Sequence, residues 1–408
     1  MIELVKSAAD KLIFKKNDAA ATSEWRAVLG GIWSRFSRMT GIDVVLPDGT
    51  LLRGVSAKSR IVLKDWRAAL AFVTADQPGL FECYLNGQVD LEPLVGDAAE
   101  GLLSALGALD DQWVDYRWAT AAIYSSRHWW QRNTPFRRAA LSVHYSVPAL
   151  FWLSFLSKEY PIYSHYIFED NESHESWEIA CQRKLEFALR ACKLKPGDRV
   201  LNVGEGWGGF LAYAGRRGIR VTGVTLNDES YLACADKMAA ESLQDQCEVI
   251  KGDFYHYRAS TPFDAITNMG VTEHLTDYDA LMAKYASLLK PGGYVYCDFV
   301  GTTRDTPFRS IIQKDVYPGA TAVNLRQLIG AVQRNGCLDL VEAHDDRLSY
   351  DKTCVAWARN VEAQREFIVA HFGERRYRWI WSYLWMCVYG FRTLRNGITG
   401  TRVVLRRR

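Results

Sequence analysis

The 408-residue chain has nine cysteines but no Cys-x-x-Cys pair and no Cys/His spacing suited to zinc. They read as reduced, mostly buried thiols, which argues against a disulfide scaffold and a metal site and for a cytoplasmic protein. No apolar run reaches the length that spans a bilayer. The opening Met-Ile-Glu-Leu-Val-Lys lacks the basic start and apolar core of a secretory signal. Excess charge is missing too. Fifty Lys and Arg stand against 47 Asp and Glu, a net +3, too little for a nucleic-acid binder. A further absence is local. The segment Arg220 to Leu226 ends Thr225-Leu226-Asn227, without the acidic residue that a dinucleotide-binding fold uses to hold a ribose.

What is present around that segment is more telling. The apolar run Val200 to Val203 enters glycines 204, 206, 208 and 209; a helix-compatible stretch and the strand Arg220 to Leu226 follow. Such glycines let the backbone turn sharply and approach a ligand, and the helix start behind them offers free N–H groups. Gly204, Gly206 and Gly209 fit the dinucleotide spacing, but the missing acid and the bulky Trp207 inside the loop favour S-adenosylmethionine over a nicotinamide.

From residue 177 helices and strands alternate, the signature of an α/β fold with a Rossmann-like parallel sheet. Strands are predicted at 199–203, 220–226, 247–250, 263–268 and 293–300, the last after the turn Lys290-Pro291-Gly292-Gly293. Residues 1–112 read as a smaller α+β N-terminal domain, with a hairpin turn at Asp48-Gly49 and a helix capped by Asp65. Residues 113–140 form a basic and aromatic connector containing Arg127, Arg132, Arg137 and Arg138, and 141–408 form the catalytic domain. Fourteen tryptophans, 20 tyrosines and 17 phenylalanines fit a protein that handles an apolar ligand or meets a membrane interface. The connector and Arg406-Arg407-Arg408 read either as solvated faces or as contacts to anionic lipid. The aromatic segment 375–395 reads as core or tunnel lining.

Several stretches, in order, resemble the cyclopropane-fatty-acyl-phospholipid synthases and mycolic acid cyclopropane synthases. They are His144-Tyr145, Tyr163-Ser164-His165, the loop Val200 to Gly209, Val221 to Leu226, Gly270-Val-Thr-Glu-His274, and Tyr350-Asp-Lys-Thr353 followed by Trp357. Leu46-Pro-Asp-Gly49 and Tyr84-Leu-Asn-Gly87 extend the match into the first domain. The resemblance implies S-adenosylmethionine as methyl donor and an unsaturated lipid chain as acceptor; methylation of the double bond gives a carbocation, and proton loss gives a ring or a branch. It implies a peripheral, membrane-surface enzyme and a homodimer. It also implies a bicarbonate ion as base, held by Cys, Glu, His and Tyr. Here Glu273 and Tyr350 match, while the Cys is His165 and the His is Asp298, so bicarbonate loses two of its four ligands.

Those two replacements suggest a histidine oriented by a carboxylate, His165 with Asp298, acting as a protein-supplied base. Glu273, Tyr350, His165 and Asp298 are therefore the catalytic candidates. For the cofactor, Gly204, Gly206, Trp207 and Gly208 are placed at its methionine end. Thr225, Leu226 and Asn227 are placed by the ribose, Asp253 and Phe254 at the adenine, and Tyr163 and Ser164 as lid contacts. Phe151, Trp152 and the 379–391 aromatics are candidates for stabilising a cation through their ring faces. Two other readings stay open: a methyltransferase acting on a hydrophobic small-molecule amine, and a lipid- or cofactor-binding protein without catalysis.

Overall fold

The computed structural model describes residues 19–112, 147–169, 175–303, 320–393 and 397–408. The connector 113–140 and His144-Tyr145 lie outside the described residues. The chain forms two compact units, one of residues 1–124 with 365–389, the other of 125–364 with 390–408. The sequence reading kept 141–408 together; in the structure 365–389 group with the first unit.

The first unit holds helix α1 (Ala19–Thr40), strands β1 (Asp43–Val45), β2 (Leu51–Leu52) and β3 (Ser59–Leu63), helix α2 (Trp66–Leu85), strand β4 (Val89–Pro93) and helix α3 (Ala98–Gln112). The sheet runs β2-β1-β3-β4, parallel only between β1 and β3. β1 and β2 form the hairpin whose turn holds Asp48 and Gly49, with Thr50 N–H donating to the Asp48 carboxylate at 2.9 Å. Asp65 caps α2 by accepting from Ala68 N–H at 2.7 Å. Leu29, Trp33 and Phe36, spaced four and three apart, put one face of α1 into the core with Ile61 and Leu63. A neighbouring face of α1 is exposed although apolar, with Trp25, Val28, Ile32 and Met39 between 38% and 50% accessible.

Among its described residues the second unit has the short helix α4 (Ala149–Leu153), then α5 (Trp177–Ala191), β5 (Arg199–Val203), α6 (Gly209–Gly215), β6 (Arg220–Thr225), α7 (Asp228–Ala240), β7 (Cys247–Lys251) and β8 (Phe263–Met269). Then come α8 (Tyr278–Leu288), β9 (Leu289–Thr302), β10 (Val323–Asn324), α9 (Leu325–Asn335), β11 (Leu338–Asp345), α10 (Arg347–Ala363) and, after the first unit's α11 (Arg365–Phe372) and most of α12 (Glu374–Arg392), the strand β12 (Ile398–Arg407). The sheet order is β11-β12-β9-β8-β5-β6-β7. The run from β9 to β7 is parallel, and β12 is antiparallel to both neighbours. Strand order reverses between β5 and β8, and in such sheets ligands collect at that reversal, beyond the carboxyl ends of the strands.

The five predicted strands stand as β5 to β9. β11 and β12 were not foreseen. In β11 residues 339–343 are all exposed, so it has no two-residue apolar alternation to read. The arginine cluster at 406–408 ends a strand. Arg406 and Arg407 belong to β12, the Arg407 guanidinium donates to Leu289 O, and Arg408 pairs with Asp339 at 2.7 Å.

Candidate active site

The loop after β5 is shaped by glycine. Gly204, Gly206 and Gly208 have φ of 71°, 65° and 84°, a left-handed conformation that side chains rarely adopt. A Cβ on Gly204 would lie 2.4 Å from Val271 Cγ2, and one on Gly209 would lie 2.8 Å from Pro161 O, so these two glycines admit close neighbours. At Gly206 a Cβ would meet nothing within 4 Å, so the backbone there borders open space. That curved backbone at the sheet's reversal point, with the N-terminus of α6 behind it, fits S-adenosylmethionine. Trp207 is buried and stacks on Trp152, with ring centroids 6.2 Å apart; Tyr163 lies between Trp152 (4.7 Å) and Trp357 (5.0 Å).

The buried Glu205 carboxylate lies against β6, where a Cβ on Gly223 would meet its Oε2 at 2.9 Å. Asn202 donates to it at 2.5 Å and accepts from Thr267 at 2.7 Å. Burial, opposed by the Asn202 hydrogen bond, raises its carboxyl to about 8.

A second group of ionisable side chains is sealed inside the unit. His165 lies on the extended segment between α4 and α5. That segment is tied to α10 by Tyr166 N–H to Thr353 Oγ1 at 2.9 Å and Phe168 N–H to Ser349 Oγ at 3.1 Å. The His165 ring lies 4.9 Å from that of Tyr350, which stacks on Phe391 at 4.2 Å. His165 Nε2 is 3.0 Å from Asp346 Oδ2, and Arg402 Nε is 3.1 Å from the same oxygen. Burial works against ionising Asp346, but the His165 hydrogen bond and the nearby positive charges outweigh it and lower its pKa. Asp346 is thus an acceptor, and the tautomer that serves it carries hydrogen on Nε2. Nδ1 then keeps the ring's lone pair; it makes no hydrogen bond and faces Asp298 Oδ1 at 3.9 Å. Asp298 Oδ2 pairs with the Lys184 ammonium at 3.0 Å. Glu273, in the short turn Thr272–His274 after β8, accepts Val300 N–H at 2.6 Å through Oε1, and Oε2 has no hydrogen bond. Burial, opposed by backbone hydrogen bonds, raises this carboxyl to about 7.

Glu273, His165, Asp298 and Tyr350 therefore come together, but the predicted His165–Asp298 dyad needs correction. The carboxylate in hydrogen-bond reach of His165 is Asp346, and Asp298 is the more distant second partner. Asp346 and Lys184 were missed. Neither lies in a motif, and Asp346 stands 181 residues from His165. For a bicarbonate ion the fit is poor, because Asp298 already brings a carboxylate and Lys184 is committed to it.

Among the cofactor candidates, Thr225 and Asn227 lie at the end of β6. Asn227 caps α7 by accepting from Ser230 N–H at 3.0 Å, and Leu226 is exposed. Asp253 closes a turn by accepting from Tyr255 N–H at 2.9 Å. Phe254 packs in the core beside Tyr285, at 5.9 Å. Ser164 is buried and accepts from Lys184, so it belongs to the ionisable cluster rather than to a lid. Phe151 and Trp152 are buried beside Tyr163, and of the 379–391 aromatics Phe391 reaches the cluster.

The chain is 30% identical over 239 residues to a probable fatty acid methyltransferase of Mycobacterium tuberculosis, covering 57% of this chain and 55% of that one. It is 30% identical over 225 residues to the cyclopropane-fatty-acyl-phospholipid synthase of Escherichia coli K12, covering 53% and 56%. It thus spans a little over half the length of these relatives. Its fold matches the solved structure of the cyclopropane synthase MmaA2 of M. tuberculosis with a TM-score of 0.61 at 20% identity, over 66% of this chain and 98% of that one. Residues 132–399 match the mycolic acid cyclopropane synthetase family, and the chain belongs to that family of S-adenosylmethionine-dependent methyltransferases.

Proposed function

We propose that this protein methylates a carbon–carbon double bond in an unsaturated lipid chain and removes the released proton with a base of its own. The observation that carries this is the Nδ1 of His165, which makes no hydrogen bond while Asp346 holds the ring in a buried cluster. When bound at the glycine loop, S-adenosylmethionine supplies an already activated methyl group, so methylation itself needs no acid or base. The chain's residues have three tasks. Trp152, Trp207 and Tyr163 exclude water, and their ring faces favour a cation by roughly 2 kcal/mol or more when desolvated. His165 accepts the proton at Nδ1, with Asp346 fixing the ring and Asp298 stabilising the imidazolium. Proton loss from the new methyl, with the C–H pair closing onto the cationic carbon, gives a cyclopropane; loss from a neighbouring carbon gives a branched alkene.

The acceptor is a bilayer lipid reached from the membrane surface. The exposed apolar stripe of α1, flanked by exposed Arg35 and Arg38, supports docking on anionic lipid. The test is to incubate purified protein with methyl-labelled S-adenosylmethionine and vesicles of unsaturated phospholipid, in buffer stripped of bicarbonate. A gain of one CH2 per chain is expected, and NMR of the product distinguishes ring from branch. Methyl transfer only to small amines, or none without bicarbonate, refutes the reading.

A further inference from the structure

Lys184 has no role in the chemistry described so far. It lies on α5, on the same face as the buried Cys181, Leu185 and Ala188. A methionine would fill that position without desolvating a charge, whereas a buried ammonium is strongly disfavoured unless it is paired. Its ammonium reaches Asp298 Oδ2 at 3.0 Å and donates to the Ser164 hydroxyl, and Lys184 and Asp298 are both 0% exposed.

Several other groups face Asp298. His165 Nδ1 is 3.9 Å away. Glu273, Tyr296 and Cys297 lie close enough to feel its charge, and Arg402 is its partner across the β9–β12 ladder. Of these groups Arg402 alone is a permanent cation, and it is engaged with Asp346. The ammonium of Lys184 is what offsets the charge on Asp298.

We propose that Lys184 is a positioning residue for proton removal: it keeps Asp298 an ionised carboxylate and so lets Asp298 receive the hydrogen that His165 Nδ1 gains. This rests on His165 as the base. In balance, Lys184 and Asp298 cancel and Arg402 and Asp346 cancel, so the proton that His165 gains takes the cluster from neutral to +1, with the Asp298 carboxylate beside the new charge. Without Lys184, Asp298 would stand in an apolar interior near Glu273 and would hold a proton. A neutral acid no longer stabilises the imidazolium. Lys184 also meets Ser164, against which a Cβ on Gly270 would press at 3.0 Å, so the ammonium fixes Asp298 to the segment that carries His165.

The test uses full-length Lys184→Met and the double variant Lys184→Met/Asp298→Asn. In Lys184→Met, turnover in the vesicle assay should fall about 100-fold or more, the range for losing a general base, with KM for S-adenosylmethionine little changed. An activity-independent arm measures urea unfolding from pH 5 to 8. In Lys184→Met the folded state holds a proton on Asp298 that the unfolded state releases near pH 4, so stability should fall with rising pH more steeply than in the wild type. Replacing Asp298 with Asn in the same chain should remove that extra slope. If Lys184→Met does not fold, the double variant decides: stability near the wild type supports the pairing, and failure to fold overturns it. Wild-type turnover and slope in Lys184→Met also overturn it. A wild type that methylates no lipid removes the lipid reading, and the slopes still report whether Lys184 keeps Asp298 ionised.

Discussion

His165 sits between two carboxylates, and the two should respond differently to change. Asp346→Asn puts a neutral amide against Nε2 and no longer fixes which nitrogen carries hydrogen. It should slow product formation by about 100-fold or more, the usual contribution of an oriented base, while calorimetry shows unchanged cofactor affinity. His165→Ala should lose at least as much, and adding bicarbonate should not restore it. Glu273 gives a stability signature. Its folded pKa of about 7 lies above the ordinary 4.5, so the proton it holds stabilises the fold below that ordinary value, and the contribution is lost as pH rises through 7. Glu205, at about 8, acts in the same direction. Glu273→Gln should flatten the decline of unfolding free energy between pH 5 and 8; an unchanged slope would mean that the carboxyl is ionised in the fold. Glu273, His165 and Asp298 were legible in the sequence because they stand in motifs. Lys184 and Asp346 were not, because a lysine on a helix and an aspartate before one are ordinary surface residues until the fold buries them.

At the scale of elements, the glycine loop couples shape to ligand binding. Gly206→Val brings a β-branched residue to a φ of 65° and a side chain into the space beside the loop. S-adenosylmethionine binding by calorimetry should be lost in a variant that still folds, and unchanged affinity would place the cofactor elsewhere. The loop and β5 to β9 were legible because buried parallel strands are short apolar runs punctuated by glycine and proline. β12 was hidden. Its buried Val403-Val404-Leu405 is too short to tell strand from helix, and arginines on both sides read as a basic tail. Phe254 follows β7, and its packing against Tyr285 was not legible in the sequence, because nothing in the local pattern tells a core ring from a ligand contact.

At the scale of the molecule, the outward face of α1 gives the lipid reading a physical test. Trp25, Val28, Ile32 and Met39 fall within about 60° of one another around the helix, with Arg35 and Arg38 alongside. Trp25→Glu/Ile32→Glu should abolish sedimentation with anionic vesicles and leave unfolding within about 0.5 kcal/mol, as for surface changes generally. Binding that persists would move the contact to another surface. No helix among the described residues is long and apolar enough to cross a membrane. The path of the chain has a consequence of a different kind. It leaves the second unit after residue 364, contributes 365–389 to the first, and returns with β12, which lies between β9 and β11. A recombination crossover near 124 would therefore transplant a methyltransferase unit together with 25 residues of its neighbour, and would leave that neighbour incomplete in the parent. Exchange of one unit for a foreign counterpart takes three matched junctions instead of one, so lineages of this protein should vary by substitution within both units far more readily than by swapping either as a cassette.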